Sequence, residues 1–161
     1  MPTPISFTFS AACISLAPNK YNIEWNIKLD GTDQLLTNNQ VNLIWDVHST
    51  QQERTSKYER QMSNICFSEG GEFDYISSKT THTFEKPVQW IGLVQQFFAT
   101  TIINKQGFVS GKVDWQRKLD SSNGLATMQS QLQTKLNGDN ANIDFSLYYG
   151  PNDFQILKSQ A

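Results

Sequence analysis

Apolar and polar residues alternate with period two along most of this chain, the pattern of strands with one wet face. Tyr21, Ile23, Trp25, Ile27 and Leu29 alternate with Asn22, Glu24, Asn26 and Lys28. Ile5, Phe7 and Phe9 alternate with Ser6, Thr8 and Ser10, and Val41, Leu43, Trp45 and Val47 with residues such as Asn42 and Asp46. Ile143, Phe145, Leu147 and Tyr149 repeat the pattern near the end. Weaker strands are predicted over 63–68, 72–76, 80–85, 107–115 and 125–133. Turn signals separate these runs: Asp30-Gly31, Asn38-Asn39, Gly70-Gly71, Ser121-Ser122-Asn123-Gly124 and Asn137-Gly138-Asp139-Asn140. Short strands with this punctuation predict an all-β fold, an antiparallel β-sandwich or barrel.

Three stretches break the alternation. Residues 49–62 are polar almost throughout and read as a solvated loop or a short surface helix. Residues 88–103 are ambiguous, because Trp90, Leu93, Val94, Phe97 and Phe98 have helical spacing. Gly92 and the β-branched run Thr100 to Ile103 favour strands with a bend there. Last, Gly150-Pro151 ends the final strand, and Asn152 is placed to cap a short helix running through Phe154 and Leu157.

A length of 161 residues predicts one domain over 1–161. No run of 18 apolar residues is present, and no charged segment followed by an apolar one opens the chain as a signal peptide would. A net charge of -2 argues against electrostatic binding to nucleic acid, which needs a basic face. Cys13 and Cys66 form no CxxC pair. In an oxidising compartment they could bridge the 52 residues between them, and as small hydrophobes they need no partner.

Candidate chemistry is sparse. His48 and His82 have no ligand-spaced neighbour and read as surface or satisfied histidines. Glu69, Glu72 and Asp74 flank a turn and could at most hold a weak calcium ion. No nucleophile elbow, dinucleotide loop or P-loop occurs, so no catalytic, cofactor or metal residue is assigned. Of the four Trp, three sit in phase with apolar strand neighbours and are expected in the core. Trp115, beside Gln116 and Arg117, is expected to be the exposed ring.

Two segments carry a family resemblance. Lys86-Pro87-Val88-Gln89-Trp90-Ile91-Gly92-Leu93-Val94-Gln95-Gln96-Phe97-Phe98-Ala99 resembles the Trp…Gln-Tyr-Phe-Ala stretch in the periplasmic domain of the YidC-type membrane protein insertases. Leu147-Tyr148-Tyr149-Gly150-Pro151, followed by Phe154 and Leu157, resembles the aromatic-Gly-Pro sequence that closes that domain. Two departures stand out: Phe97 where Tyr often leads, and Asn152 where Lys is common.

The resemblance implies a β-supersandwich with one or two short helices and a truncated C-terminal helix. It covers about the C-terminal two thirds of the usual periplasmic domain, without the opening strands or the transmembrane parts. It further implies a non-catalytic domain without cofactor, on the periplasmic face of the bacterial inner membrane. Its partners would be the Sec translocon, through SecDF and SecYEG, with nascent membrane proteins as clients. Trp90, Gln96, Phe97, Phe98, Tyr149, Gly150 and Pro151 would be structural motif residues, with Trp90, Phe97 and Phe98 in or beside the core. Asn152, Phe154 and Leu157 would link the domain to the membrane. The alternative from the residues alone is a free-standing carbohydrate-binding β-sandwich using exposed Trp rings, with a mutarotase-like enzyme a distant third.

Overall fold

The structure is a computed structural model that describes residues 10–11, 15–16, 21–30, 37–52, 54–118, 124–136 and 140–153. Along the chain come β1 (Ser10–Ala11), β2 (Ser15–Leu16), β3 (Asn22–Asp30), β4 (Gln40–Thr50), α1 (Ser56–Met62), β5 (Asn64–Glu69) and β6 (Glu72–Ile76). Then follow β7 (Thr81–Phe84), β8 (Val88–Val94), β9 (Phe98–Phe108), β10 (Ser110–Arg117), β11 (Gly124–Lys135) and β12 (Asn140–Pro151). The larger sheet runs β1-β3-β12-β9-β8-β5-β6, with β2 also on β3; the smaller runs β4-β11-β10-β7. Every pairing is antiparallel.

The alternating residues explain why two sheets face each other. Ile65, Phe67, Ile91, Leu93, Ile102, Ile143 and Phe145 of the large sheet meet Val47, Phe84, Val113, Trp115, Met128 and Leu132 of the small one. Burying each such side chain contributes roughly 1.5–3 kcal/mol, which makes this layer the main source of stability. Trp25, stacked on Phe145 at 5.9 Å, and Trp45 close the edges of the same layer. The Gly70-Gly71 turn joins β5 to β6 with φ of 61° and 84°, a reversal that glycine adopts without steric cost.

Several expectations need correction. Trp115 is 5% exposed rather than an exposed ring. Its Nε1 donates to the Lys79 carbonyl at 2.5 Å, and Arg117 folds back to 5.0 Å over its ring, so polar neighbours in sequence cover an apolar group. Residues 88–103 form a hairpin, and its reversal lies at Gln95–Phe97 rather than at Gly92. Phe97 and Phe98 are 54% and 43% exposed, not core, and Trp90 is half-buried on the outer side of β8.

Residues 56–62 do form a short helix, yet Glu59 within it is buried. Its carboxylate accepts the Gln52 backbone N–H at 3.1 Å and the Gln95 amide at 3.3 Å, which ties α1 to the β8–β9 turn. Ile5, Phe7, Phe9, Cys13, Phe154 and Leu157 lie outside the described residues. No helix among the described residues is long and apolar enough to cross a membrane.

Candidate binding groove

The outer side of the large sheet, facing away from the core, carries the most distinctive surface. Strand registers set its residues in cross-strand rows, because directly paired residues share a face. One row reads Phe73, Ser68, Trp90, Ile103, Ser146. The next reads Tyr75, Cys66, Gly92, Thr101, Tyr148. Aromatic rings stand at both sides and small residues lie between them. The result is a trough of about 770 Å³ with Cys66, Thr101 and Ala99 in its floor and Phe73, Trp90 and Tyr148 among its walls.

Each part has a local cause. A Cβ on Gly92 would collide with Thr101 Oγ1 and lie 2.8 Å from the Thr100 carbonyl, so only glycine lets β8 and β9 approach this closely. Phe73 projects from the outermost strand and leans on Trp90 at 6.0 Å between ring centroids. Tyr148 is 1% exposed; its hydroxyl donates to the Pro151 carbonyl at 2.6 Å and its ring meets Tyr21 edge-on at 6.2 Å. Burial, with help from Tyr21 and Asp153, raises its phenol above the ordinary tyrosine value. Gly150 is needed beside it, since a Cβ there would sit 2.6 Å from Tyr21 Cγ. Gln89 borders the trough, its side-chain oxygen accepting from Ser68 Oγ at 3.1 Å and from the Gly71 N–H at 3.2 Å.

The titratable groups that line the trough are Cys66, Lys105 and Tyr148. Among the described residues its lining contains no His, Asp or Glu, and burial pushes the Cys66 thiol up to about 11. The sulfur therefore stays protonated near neutral pH and is a poor nucleophile. The histidines lie elsewhere. His48 is exposed on the small sheet, and His82 stacks on Phe67 at 5.0 Å and meets Phe84 edge-on at 4.9 Å.

The acidic turn residues do not converge on a cation. Glu69 Oε1 accepts the backbone N–H groups of Glu85 and Lys86 at 2.6 and 2.9 Å, and Oε2 lies 3.6 Å from His82 Nε2. Burial alone would raise this carboxyl, but those bonds and His82 outweigh it and hold it below the ordinary value. No group of three or more His, Cys, Asp or Glu among the described residues could hold a metal ion.

The motif residues divide between the trough and one end of the sheet. Trp90 forms a wall, while Gln96, Phe97 and Phe98 make the β8–β9 reversal. Pro151 pairs with Phe98, and Tyr149 is 68% exposed although it continues the buried phase of Ile143, Phe145 and Leu147. Its neighbour Tyr148, out of that phase, is the buried one. Asn152 donates its backbone N–H to the Phe97 carbonyl at 2.7 Å and its side-chain amide to the Gln95 carbonyl at 3.2 Å. Tyr148, Cys66, Phe73 and Thr101 escaped the sequence reading because their meeting depends on register between distant strands. Gly92, two residues after Trp90 and so on the same strand face, was the local signal for a close approach.

Fold and trough together define a class: an antiparallel β-sandwich that leaves one sheet face open as an apolar groove. The sequence profile of the YidC periplasmic domain matches residues 8–161, and the chain belongs to that family. Among its relatives is the membrane protein insertase YidC of Parabacteroides distasonis, 25% identical over 162 residues, covering 96% of this chain and 24% of that protein. That of Azobacteroides pseudotrichonymphae is 25% identical over 153 residues, covering 90% and 24%. That of Pelodictyon phaeoclathratiforme is 24% identical over 149 residues, covering 88% and 25%. The chain thus spans about a quarter of the length of these relatives. Family membership places it on the periplasmic face of the bacterial inner membrane.

Proposed function

We infer that this domain is the non-catalytic periplasmic part of a membrane protein insertase and that its trough shelters extended apolar segments of client proteins. One observation carries the reading: an open groove of about 770 Å³ with aromatic walls, a floor of small residues and an unreactive thiol. Such a surface gains free energy by covering apolar area, and the lining holds no His, Asp or Glu beside its single lysine, Lys105. An emerging membrane segment that has not reached the bilayer is apolar and needs such cover. The sandwich behind the trough serves as a rigid platform, and the family resemblance adds SecDF and SecYEG as docking partners.

A photo-crosslinking residue at Phe73 in the full-length insertase tests this, with one at Ile44, 60% exposed on the small sheet, as control. Crosslinks to newly made membrane proteins are expected from position 73 and not from position 44. Equal labelling from both, or none from position 73, overturns the reading. Binding of a saccharide in the trough, seen as quenching of Trp90, would favour the carbohydrate-binding alternative instead.

A further inference from the structure

The exposed apolar side chains are unevenly distributed, and many of them gather at one end of the sandwich. Phe97 and Phe98 occupy the β8–β9 reversal, and Tyr149 lies on β12 beside it, in the segment whose Pro151 pairs with Phe98. Tyr21 joins through its carbonyl, which accepts the Tyr149 N–H at 2.8 Å. Tyr58 and Met62, 46% and 40% exposed, arrive on α1, which Glu59 fastens to Gln95.

The reversal is braced from several directions. Gln95 N–H donates to the Phe98 carbonyl at 2.8 Å, Asn152 holds the Phe97 and Gln95 carbonyls, and Glu59 accepts from the Gln95 side chain. The Gln95 amide groups and the Gln95, Phe97 and Phe98 carbonyls are thereby held within the protein, while the two phenyl rings of the turn are left in water. Loop tips are usually polar, so a well-braced tip carrying two exposed rings is a built feature.

We propose that this end rests on the bilayer, with Phe97, Phe98 and Tyr149 seated among the headgroups of anionic phospholipid. Three observations select a lipid surface over a protein. The last strand of the large sheet, β12, ends at Pro151 on this same end, in a family whose domain belongs to a membrane protein insertase. Aromatic side chains with an apolar body are the residues that populate the membrane–water interface. The local charge is also complementary: exposed Arg54 and Lys57 and half-buried Lys118 lie here, against exposed Asp153, in a chain of net charge -2. The far end differs, with Glu69, Glu72, Asp74 and Glu85 against Lys86 and His82 around its turns.

The inference rests on the membrane-side placement used in the proposed function, but it is independent of what the trough binds. Its test is flotation of the chain with vesicles of phosphatidylethanolamine and phosphatidylglycerol, against vesicles of phosphatidylcholine alone. The double variant Phe97→Ser, Phe98→Ser, at positions too exposed to disturb the fold, is expected to cut the floated fraction about tenfold. Ile44→Ser with Val109→Ser, which removes two exposed apolar side chains outside both this end and the trough, should float like the parent. A Phe97→Trp variant should show its added emission shifted to the blue on the anionic vesicles. Absence of flotation by the parent, flotation unchanged in the Phe97, Phe98 variant, or equal loss in both variants overturns the proposal. Loss of client crosslinks from position 73 with flotation intact would instead remove the trough reading and leave this one standing.

Discussion

The two sheets share a core and differ on their outer faces. The outer face of the small sheet is a ladder of polar side chains, in which Gln129 donates to Asp46 at 2.8 Å and Thr81 to Asp114 at 2.5 Å. Lys112 pairs with Asp114 at 2.8 Å on the same surface. The outer face of the large sheet keeps such groups on β3 and β12, where Ser146 donates to Glu24 at 2.5 Å, and replaces them across β6, β5, β8 and β9 with Trp90, Gly92, Thr101, Cys66 and Phe73. The difference lies in the residues between the core positions of each strand. In β11 they are Thr127, Gln129, Gln131 and Gln133, whereas in β8 they are Trp90, Gly92 and Val94. Water covers the first set; the second leaves an apolar surface in want of a ligand.

The sharpest break in this comparison uses the two tryptophans. Trp115→Ala empties a core position and strands the Lys79 carbonyl, so urea unfolding is expected to lose about 3–5 kcal/mol. A loss under about 1 kcal/mol would mean that the ring does not belong to the core.

That contrast also marks how far the sequence could be read. The alternation of β3, β4, β11 and β12 was legible because one face of each is wet, and period two appears only when the two faces differ. Residues 88–103 resisted because β8 is covered on one face by the core and lines an apolar groove with the other, which removes the alternation. Trp115 was misplaced because Gln116 and Arg117 follow it, and only the folded chain shows Arg117 turning back over the ring. The trough was not legible at all. Cys66, Gly92, Thr101 and Tyr148 become one row only through three separate strand pairings.

Next in size, Gly92→Val forces a side chain into Thr101 and the Thr100 carbonyl, and about 1–3 kcal/mol should be lost in the same measurement. A neutral result would show that β8 and β9 are not packed this tightly. Trp90→Ala is expected to lose about 1–2 kcal/mol, less than Trp115→Ala, because only one side of the ring is covered. Equal losses from the two would erase the distinction between core and groove wall.

Smaller still is the effect of Glu69→Gln at the β5–β6 end. The carboxyl is held below its ordinary value in the folded chain, so it contributes stability above that value and loses it as pH falls through the lowered one. The variant should have a flatter acid limb by about 0.5–1 kcal/mol, a small amount because water reaches the group. An unchanged acid limb would contradict the clamp on Glu85 and Lys86. On the small sheet, Gln131→Ala should change stability by less than about 0.5 kcal/mol and leave any binding untouched.

The central claim is that the outer face of the large sheet, and not that of the small one, receives apolar chains. It is tested most directly by titrating the isotope-labelled chain with a Leu- and Ala-rich peptide and following backbone amide shifts. The account expects shifts concentrated in Cys66–Ser68, Trp90–Val94, Ala99–Ile103 and Tyr148. Shifts centred on Thr127–Gln133 of the small sheet, or none anywhere at saturating peptide, would contradict it.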